Sequence, residues 1–184
     1  MMRVDPEILE AIYTQKDENL LELSQRQPVL LIFLRHFGCT FCKQSMSDLA
    51  KVRAQIEAKG LLPIIVHMAP EELANKRLHH FNLPDIGHVS DPDLSLYAYF
   101  GLKKGTFSQL YGLKVVVGGM KALAEGFSLP SISKEYGSIS QMPGIFVLVA
   151  GEIKFEFIHS TAAERADYMQ IVANYLALKT KNTQ

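Results

Sequence analysis

Cysteine is nearly absent from this chain of 184 residues: Cys39 and Cys42 are the only two. Neighbours this close would seal only a very short loop, so a stabilising disulfide framework is excluded and the pair needs another purpose. A surplus of charge is missing as well. Nineteen basic residues stand against nineteen acidic ones, for a formal net charge of zero. That balance gives no reason to expect nucleic acid or an anionic membrane as the main partner. No window approaches the roughly 20 apolar residues that a bilayer span takes. The start, "MMRVDPEILEAIYTQKDENL", has neither an apolar stretch nor a small-residue cleavage site, so no secretory signal is expected. Repeats, low-complexity tracts and interdomain linkers are lacking too. What remains is 48% hydrophobic and 21% charged, the balance of one compact domain over 1–184. Such a chain buries about 70% of its unfolded surface without staples. A reducing, cytoplasmic setting is expected, and there a Cys-x-x-Cys serves catalysis or metal binding more often than structure.

Three apolar runs carry the fold. "VLLIFLR" follows Pro28 without alternation, as a strand covered on both faces does. "LLPIIVHM" (61–68) and "GIFVLVA" (144–150) repeat the pattern. "EIKFEFI" (152–158) alternates instead, which predicts a half-exposed edge strand joined to its predecessor by a hairpin at Gly151. Between the first two runs, Met46, Leu49, Val52, Arg53 and Ile56 recur at helical spacing, and Lys59-Gly60 supplies the stop. Residues 6–26 read as helical. "PEELANKRLHHF" (70–81) is a helix with acids first and bases last, which suits its dipole. "HVSD" (88–91) is a short strand. Asp91-Pro92 reads as an N-cap and first helical position ahead of "DLSLYAYFGL". Thr161-x-x-Glu164 reads as a capping box for a last helix with Met169, Val172 and Leu176 buried. The order β-α-β-α-β-α, insertion, β-β-α is an α/β fold with parallel crossovers and a final antiparallel pair.

The dithiol motif sits directly after the first core strand, at the start of a helix. Unpaired N–H groups and the positive end of the helix dipole favour a thiolate there, and the thiolate is the form that attacks a disulfide or a peroxide. Cys39 is expected to be the more exposed sulfur and Cys42, one turn on, to face it. Arg35 and His36 add positive or hydrogen-bonding character nearby. Two other readings stay open. A zinc site would need two more ligands, and no second cysteine pair exists. His67, His79, His80, His88 and His159 read more simply as surface or strand-end residues. Buried filler is the third reading, since free cysteine is commonly a small core hydrophobe. Serines 131, 133, 138 and 140 lack a His/Asp relay, so serine hydrolase chemistry has no support.

The stretches "FLRHFGCTFC" (33–42), "YFGLKKGTFSQLYGLKVVVGGMKAL" (99–123) and "QMPGIFVLVAGEIKFEF" (141–157) resemble the AhpC/TSA-type peroxiredoxin-like proteins of the thioredoxin-fold superfamily. The likeness covers about residues 28–178, and its middle block is the most family-specific. It implies a thioredoxin-like fold: a central mixed sheet flanked by helices, a helical extension at 1–27 and a helical insertion at 103–140 before the last two strands. It also implies that Pro143 opens the third core strand with a cis peptide beside the cysteines, with Met142 before it. Two departures stand out. Cys42 falls where peroxiredoxins carry the peroxidatic cysteine, and Cys39 replaces their hydroxyl residue. Pro143 stands where they place an arginine, and Arg35 is the candidate substitute. Both changes point towards dithiol–disulfide exchange.

The resulting expectation is a thiol–disulfide oxidoreductase, with Cys39 attacking, Cys42 resolving and Pro143, Met142, Arg35, His36, Thr40 and Phe41 shaping the site. No organic cofactor or metal is implied. An external thioredoxin or glutathione system would supply electrons to reduce a disulfide or peroxide, and a homo-oligomer through 152–158 is an option. One rival is a thiol peroxidase with Cys42 peroxidatic and Cys39 resolving. The other is a non-catalytic thioredoxin-fold binding module. The insertion reads as a helix capped by Thr106, interrupted at Gly118-Gly119 and packed on the sheet. Its rival roles are a cover over the cysteines, a partner surface or a weak interfacial element.

Overall fold

A computed structural model describes residues 5–181. Five strands form one mixed sheet in the order β3-β2-β1-β4-β5: β1 (Val29–Phe33), β2 (Leu62–His67), β3 (Gly87–Ser90), β4 (Gly144–Val149) and β5 (Glu152–Ile158). β1 pairs in parallel with β2 and antiparallel with β4, so the unalternating apolar run is the central strand. All five of its residues are buried. Side chains leave a strand on alternate faces. Leu30 and Ile32 therefore enter one core, and Val29, Leu31 and Phe33 the other.

The first core is covered by α3 (Thr40–Ala58), α4 (Glu71–His80) and α8 (Tyr168–Lys181). The second is covered by α1 (Pro6–Glu10), α2 (Leu20–Arg26) and α5 (Ser95–Tyr99). Phe33 anchors the second core, with ring centroids 5.0 Å from Tyr97, 5.0 Å from Phe100 and 5.5 Å from Phe146. Burying one such side chain stabilises the fold by roughly 1.5–3 kcal/mol. Between β3 and β4 the chain forms α6 (Phe107–Tyr111), α7 (Leu113–Ala124) and a short 3-10 turn at Lys134–Tyr136.

Several local expectations are corrected. The span 6–26 is two helices rather than one: a turn with Asp17 at φ 58° and a bridge between Tyr13 and Asn19 separate them. The polar stretch 14–19 offers no apolar residue to hold a helix against the core, and Asn19 caps α2 anew. Asp91 is a cap, but at a distance. Its carboxylate accepts from the amides of Ser95, Leu96 and Tyr97, and the helix begins at Ser95. α8 begins at Tyr168, past the supposed capping box. Its buried stripe is Tyr168, Ile171, Val172 and Tyr175, rotated from the expected Met169, Val172 and Leu176.

β5 is an edge strand, yet a register shift between Val147 and Leu148 splits its alternation. The extra residue of a bulge reverses facing. Ile153 joins one core while Phe155 and Phe157 pack on the other. The insertion breaks at Gly112, and α7 runs unbroken through Gly118-Gly119. No described helix is long and apolar enough to cross a membrane.

Candidate active site

β1 delivers the chain to Leu34, and a turn closed by the Cys39 amide donating to the His36 carbonyl at 3.0 Å leads into α3. Cys39 is the N-cap of that helix in extended conformation, and its side chain makes no cap bond. Its sulfur is left for other partners. Cys42 lies in the first turn, and both thiols are free.

The pair is electrostatically unequal. The neighbouring Cys42 thiol is the largest influence lowering the Cys39 pKa to about 6; burial opposes it, and the positive charge of Arg35 assists. The same contact, burial and repulsion from Cys39 hold Cys42 well above the usual thiol range. One sulfur is the stabilised thiolate and the other holds the proton.

Arg35 is a buried cation that organises this end of the sheet. Nη1 donates to the Cys39 sulfur at 3.4 Å, Nε to the Gln141 carbonyl at 3.2 Å, and Nη2 to the Ile139 carbonyl. It thus joins the cysteines to the loop before Pro143. His36 is buried and its Nδ1 has no partner among the described residues. Burial first, then Arg35 and Lys43, push its pKa down to about 4, so it is neutral at pH 7. It supplies a hydrogen-bonding edge and no positive charge.

The insertion lies over the motif, not on the sheet. Thr40 donates to the Ser128 carbonyl at 2.9 Å, Lys43 to the Ser128 hydroxyl at 2.7 Å and the Leu129 carbonyl at 3.0 Å, and the Ser131 amide to the Gly38 carbonyl at 2.9 Å. A Cβ on Gly38 would lie 1.8 Å from the Ser131 oxygen. α7 packs its small side on α3, with Gly118 against Ala163 and Phe41.

Two cavities flank Phe41. One of about 260 Å³ opens beside Cys39, Arg35, His36 and Thr40 and is walled by Leu110 and Tyr111 of α6, Val115 of α7, and Ile132. The other, about 30 Å³, lies beside Cys42, Pro143 and His159, space for a water molecule.

The structure thus brings together Cys39, Cys42, Arg35, His36, Thr40 and Phe41, with Pro143 on the Cys42 side. Met142 is buried next to Gly105 and Leu110, under the insertion. Two expectations fail. Cys39 is no more exposed than its twin: both are buried, at 3% and 4%, because the insertion roofs the motif. And no described peptide bond is cis, so Pro143 follows Met142 in trans. There it occupies the position before a strand where a missing N–H breaks no ladder bond.

The histidine readings divide. His79 and His80 are exposed at the end of α4. His67 and His88 are buried strand residues, with His67 Nε2 2.9 Å from His88 Nδ1, and His159 is buried near Pro143. Among the described residues no three metal-ligating side chains converge. Gly38, Lys43, Gln141 and the Ser128–Ser131 latch were missed by sequence reasoning. Their roles depend on partners about a hundred positions away, and the one local hint was glycine directly before the cysteine.

No family model matches the chain. Among curated proteins it is 25% identical over 156 residues to the prostamide/prostaglandin F synthase of Salmo salar, covering 83% of this chain and 74% of that protein. It is 25% identical over 150 residues to the peroxiredoxin-like 2C of Bos taurus, covering 75% of this chain but only 62% of that longer protein. Among solved structures, a yeast mitochondrial 1-Cys peroxiredoxin, described with glutathione/thioredoxin systems, shares the fold with a TM-score of 0.66 at 10% identity, over 100% of this chain and 79% of that one. The chain is thus similar in sequence to peroxiredoxin-like proteins and shares the thioredoxin-type fold of the peroxiredoxins.

Proposed function

We propose that Cys39 and Cys42 cycle between dithiol and disulfide, with Cys39 attacking and Cys42 resolving. The observation that carries this reading is geometric: Cys39 stands at the N-cap of α3 with Arg35 Nη1 3.4 Å from its sulfur, and Cys42 follows one turn on; the lowered pKa of Cys39 and the raised pKa of Cys42 accord with it. The Cys39 thiolate attacks one sulfur of a substrate disulfide, forms a mixed disulfide and expels a thiolate that takes a proton from water. Cys42 then gives up its proton and attacks the Cys39 sulfur. An intramolecular disulfide forms, the second substrate thiolate leaves, and two electrons have passed to the substrate. An external thiol system of thioredoxin or glutathione type returns them, in a reducing compartment such as the cytoplasm.

Access to Cys39 runs through the cavity of about 260 Å³. Its apolar walls, and the prostamide/prostaglandin F synthase among the relatives, support a bulky apolar disulfide or peroxide as the substrate class. With a peroxide, Cys39 becomes a sulfenic acid and the peroxide leaves as an alcohol; Cys42 then condenses with it, releasing water.

The rival assignment, Cys42 peroxidatic, asks the more strongly protonated sulfur to react first. Single variants decide between them. C42S should trap a mixed disulfide through Cys39, and C39S should lose both trapping and turnover. Peroxide consumption that survives C39S but not C42S would reverse the roles. Full biological activity in the double variant would leave only a binding module. Sedimentation of the reduced protein tests a homo-oligomer through the β5 edge.

A further inference from the structure

The net charge of zero conceals a local imbalance. Residues 103–124 contain four lysines, at 103, 104, 114 and 121, and no aspartate or glutamate. All four lysines are exposed, and none has an ion-pair partner among the described residues. The next acid, Glu125, is engaged by Arg165 at 3.0 Å.

The same segment turns its apolar side outward. On α7, Leu113, Val116, Val117, Met120 and Leu123 are all exposed, Leu113 at 80% and Met120 at 58%. At 3.6 residues per turn these five fill one arc of about 120°, with Lys114 and Lys121 along one rim. The inward side is built from small residues, Gly118 against Ala163 and Ala122 fully buried. α7 is therefore an inverted amphipathic helix for a soluble domain: its large apolar residues face away from the core that holds it. Phe107 of α6, 79% exposed and with its ring tilted against that of Tyr111 at 5.4 Å between centroids, extends the patch.

We infer that α6 and α7 form a docking face for the surface of an anionic lipid bilayer, lying in the interface without crossing it. Apolar side chains entering the acyl boundary with lysines level with the headgroups is the arrangement of interfacial helices. Each lysine near an anionic leaflet adds about 1 kcal/mol, so charge decides between a bilayer and an uncharged apolar partner. Docking would place Tyr111, which walls the Cys39 cavity, at the membrane boundary.

The test is flotation of the full reduced chain with vesicles of phosphatidylcholine alone and with phosphatidylserine added. The expected result is binding to the anionic vesicles, weak binding to the neutral ones, and release in about 1 M salt, where the screening length is about 3 Å. The L113E/M120E variant, at exposed positions that leave the core intact, should abolish binding. K114E/K121E should weaken it roughly tenfold or more. Circular dichroism confirms that each variant is folded. Absence of binding to anionic vesicles, or binding indifferent to both variants, overturns the inference. So does a concentration-dependent dimer that L113E/M120E dissolves while no vesicle binds, which would assign this face to a second copy of the chain.

Discussion

The guanidinium of Arg35 reaches four residues along the chain to the sulfur of Cys39, Nη1 to Sγ at 3.4 Å, while its Nε holds the Gln141 carbonyl at 3.2 Å. One buried cation therefore both stabilises the thiolate and ties the cysteine loop to the segment leading into Pro143 and β4. Charge and architecture are coupled through a single side chain.

Replacing that side chain should separate the two contributions. Arg35→Met keeps much of the volume and removes the cation, so the Cys39 pKa should rise by roughly one unit or more. Alkylation of Cys39 by iodoacetamide at about pH 5, below both pKa values, should slow by about tenfold for each unit, and only about twofold for the first unit near pH 7. An unchanged pH profile for alkylation would mean that the helix start and Cys42 suffice.

Stability should follow Cys39 with pH. The native thiol is held near about 6 and an unfolded one titrates near ~8.5, so between these values the unfolded state binds more protons. Stability therefore rises with pH across the window. The contribution is complete above ~8.5 and is lost as pH falls through about 6, and it reaches up to ~3 kcal/mol. Above ~8.5 Cys42 ionises only when unfolded, and stability turns down. Urea midpoints of the reduced protein and of C39S, compared at pH 6 and pH 8, should diverge as pH rises; parallel curves would refute this origin.

The buried histidines set the acid limb. Burial lowers His36 to about 4, His67 to about 3, with His88 adding repulsion, and His88 to about 4, with Lys16 assisting. All three folded values lie below the unfolded value near ~6.5, so their contribution is complete above that pH. It is lost on acidification at about 1.4 kcal/mol per pH unit for each histidine. The expected result is unfolding between about pH 6 and pH 4, measured by circular dichroism. A His88→Gln variant, which retains an amide towards His67, should show a shallower limb.

Gly38 should resist substitution. A methyl group there meets the Ser131 carbonyl oxygen at 1.8 Å, so Gly38→Ala must displace either the cysteine loop or the latch above it. The expected cost is roughly 1–3 kcal/mol in thermal or urea unfolding, together with faster alkylation of Cys39 as its roof loosens. A neutral effect on both would show that the latch is not what buries the motif.

How much of this was legible in the sequence varies with the range of the forces involved. The runs 29–33, 62–67 and 144–149 are strands because continuous apolar chain can be satisfied only between two layers. The dithiol's place at a strand-to-helix junction was readable for the same local reason, as was the stop at Gly60, where φ is +79°. Asp17, by contrast, breaks the supposed helix 6–26 through a turn that matters only because Tyr13 and Asn19 then bridge. The bulge between Val147 and Leu148 is likewise invisible to an alternation count, since it is fixed by pairing with β4.

The sequence by itself determined the layered α/β architecture, the central strand and the position of Cys39 and Cys42, because these rest on hydrophobic periodicity and backbone caps within a few residues. Only the tertiary structure decided that Arg35 points at Cys39, that the insertion roofs the motif and buries both sulfurs, that Pro143 is trans, and that α7 turns its apolar side to solvent. Those outcomes depend on carbonyls and cavities contributed from far along the chain, and no spacing between neighbouring residues encodes where they meet.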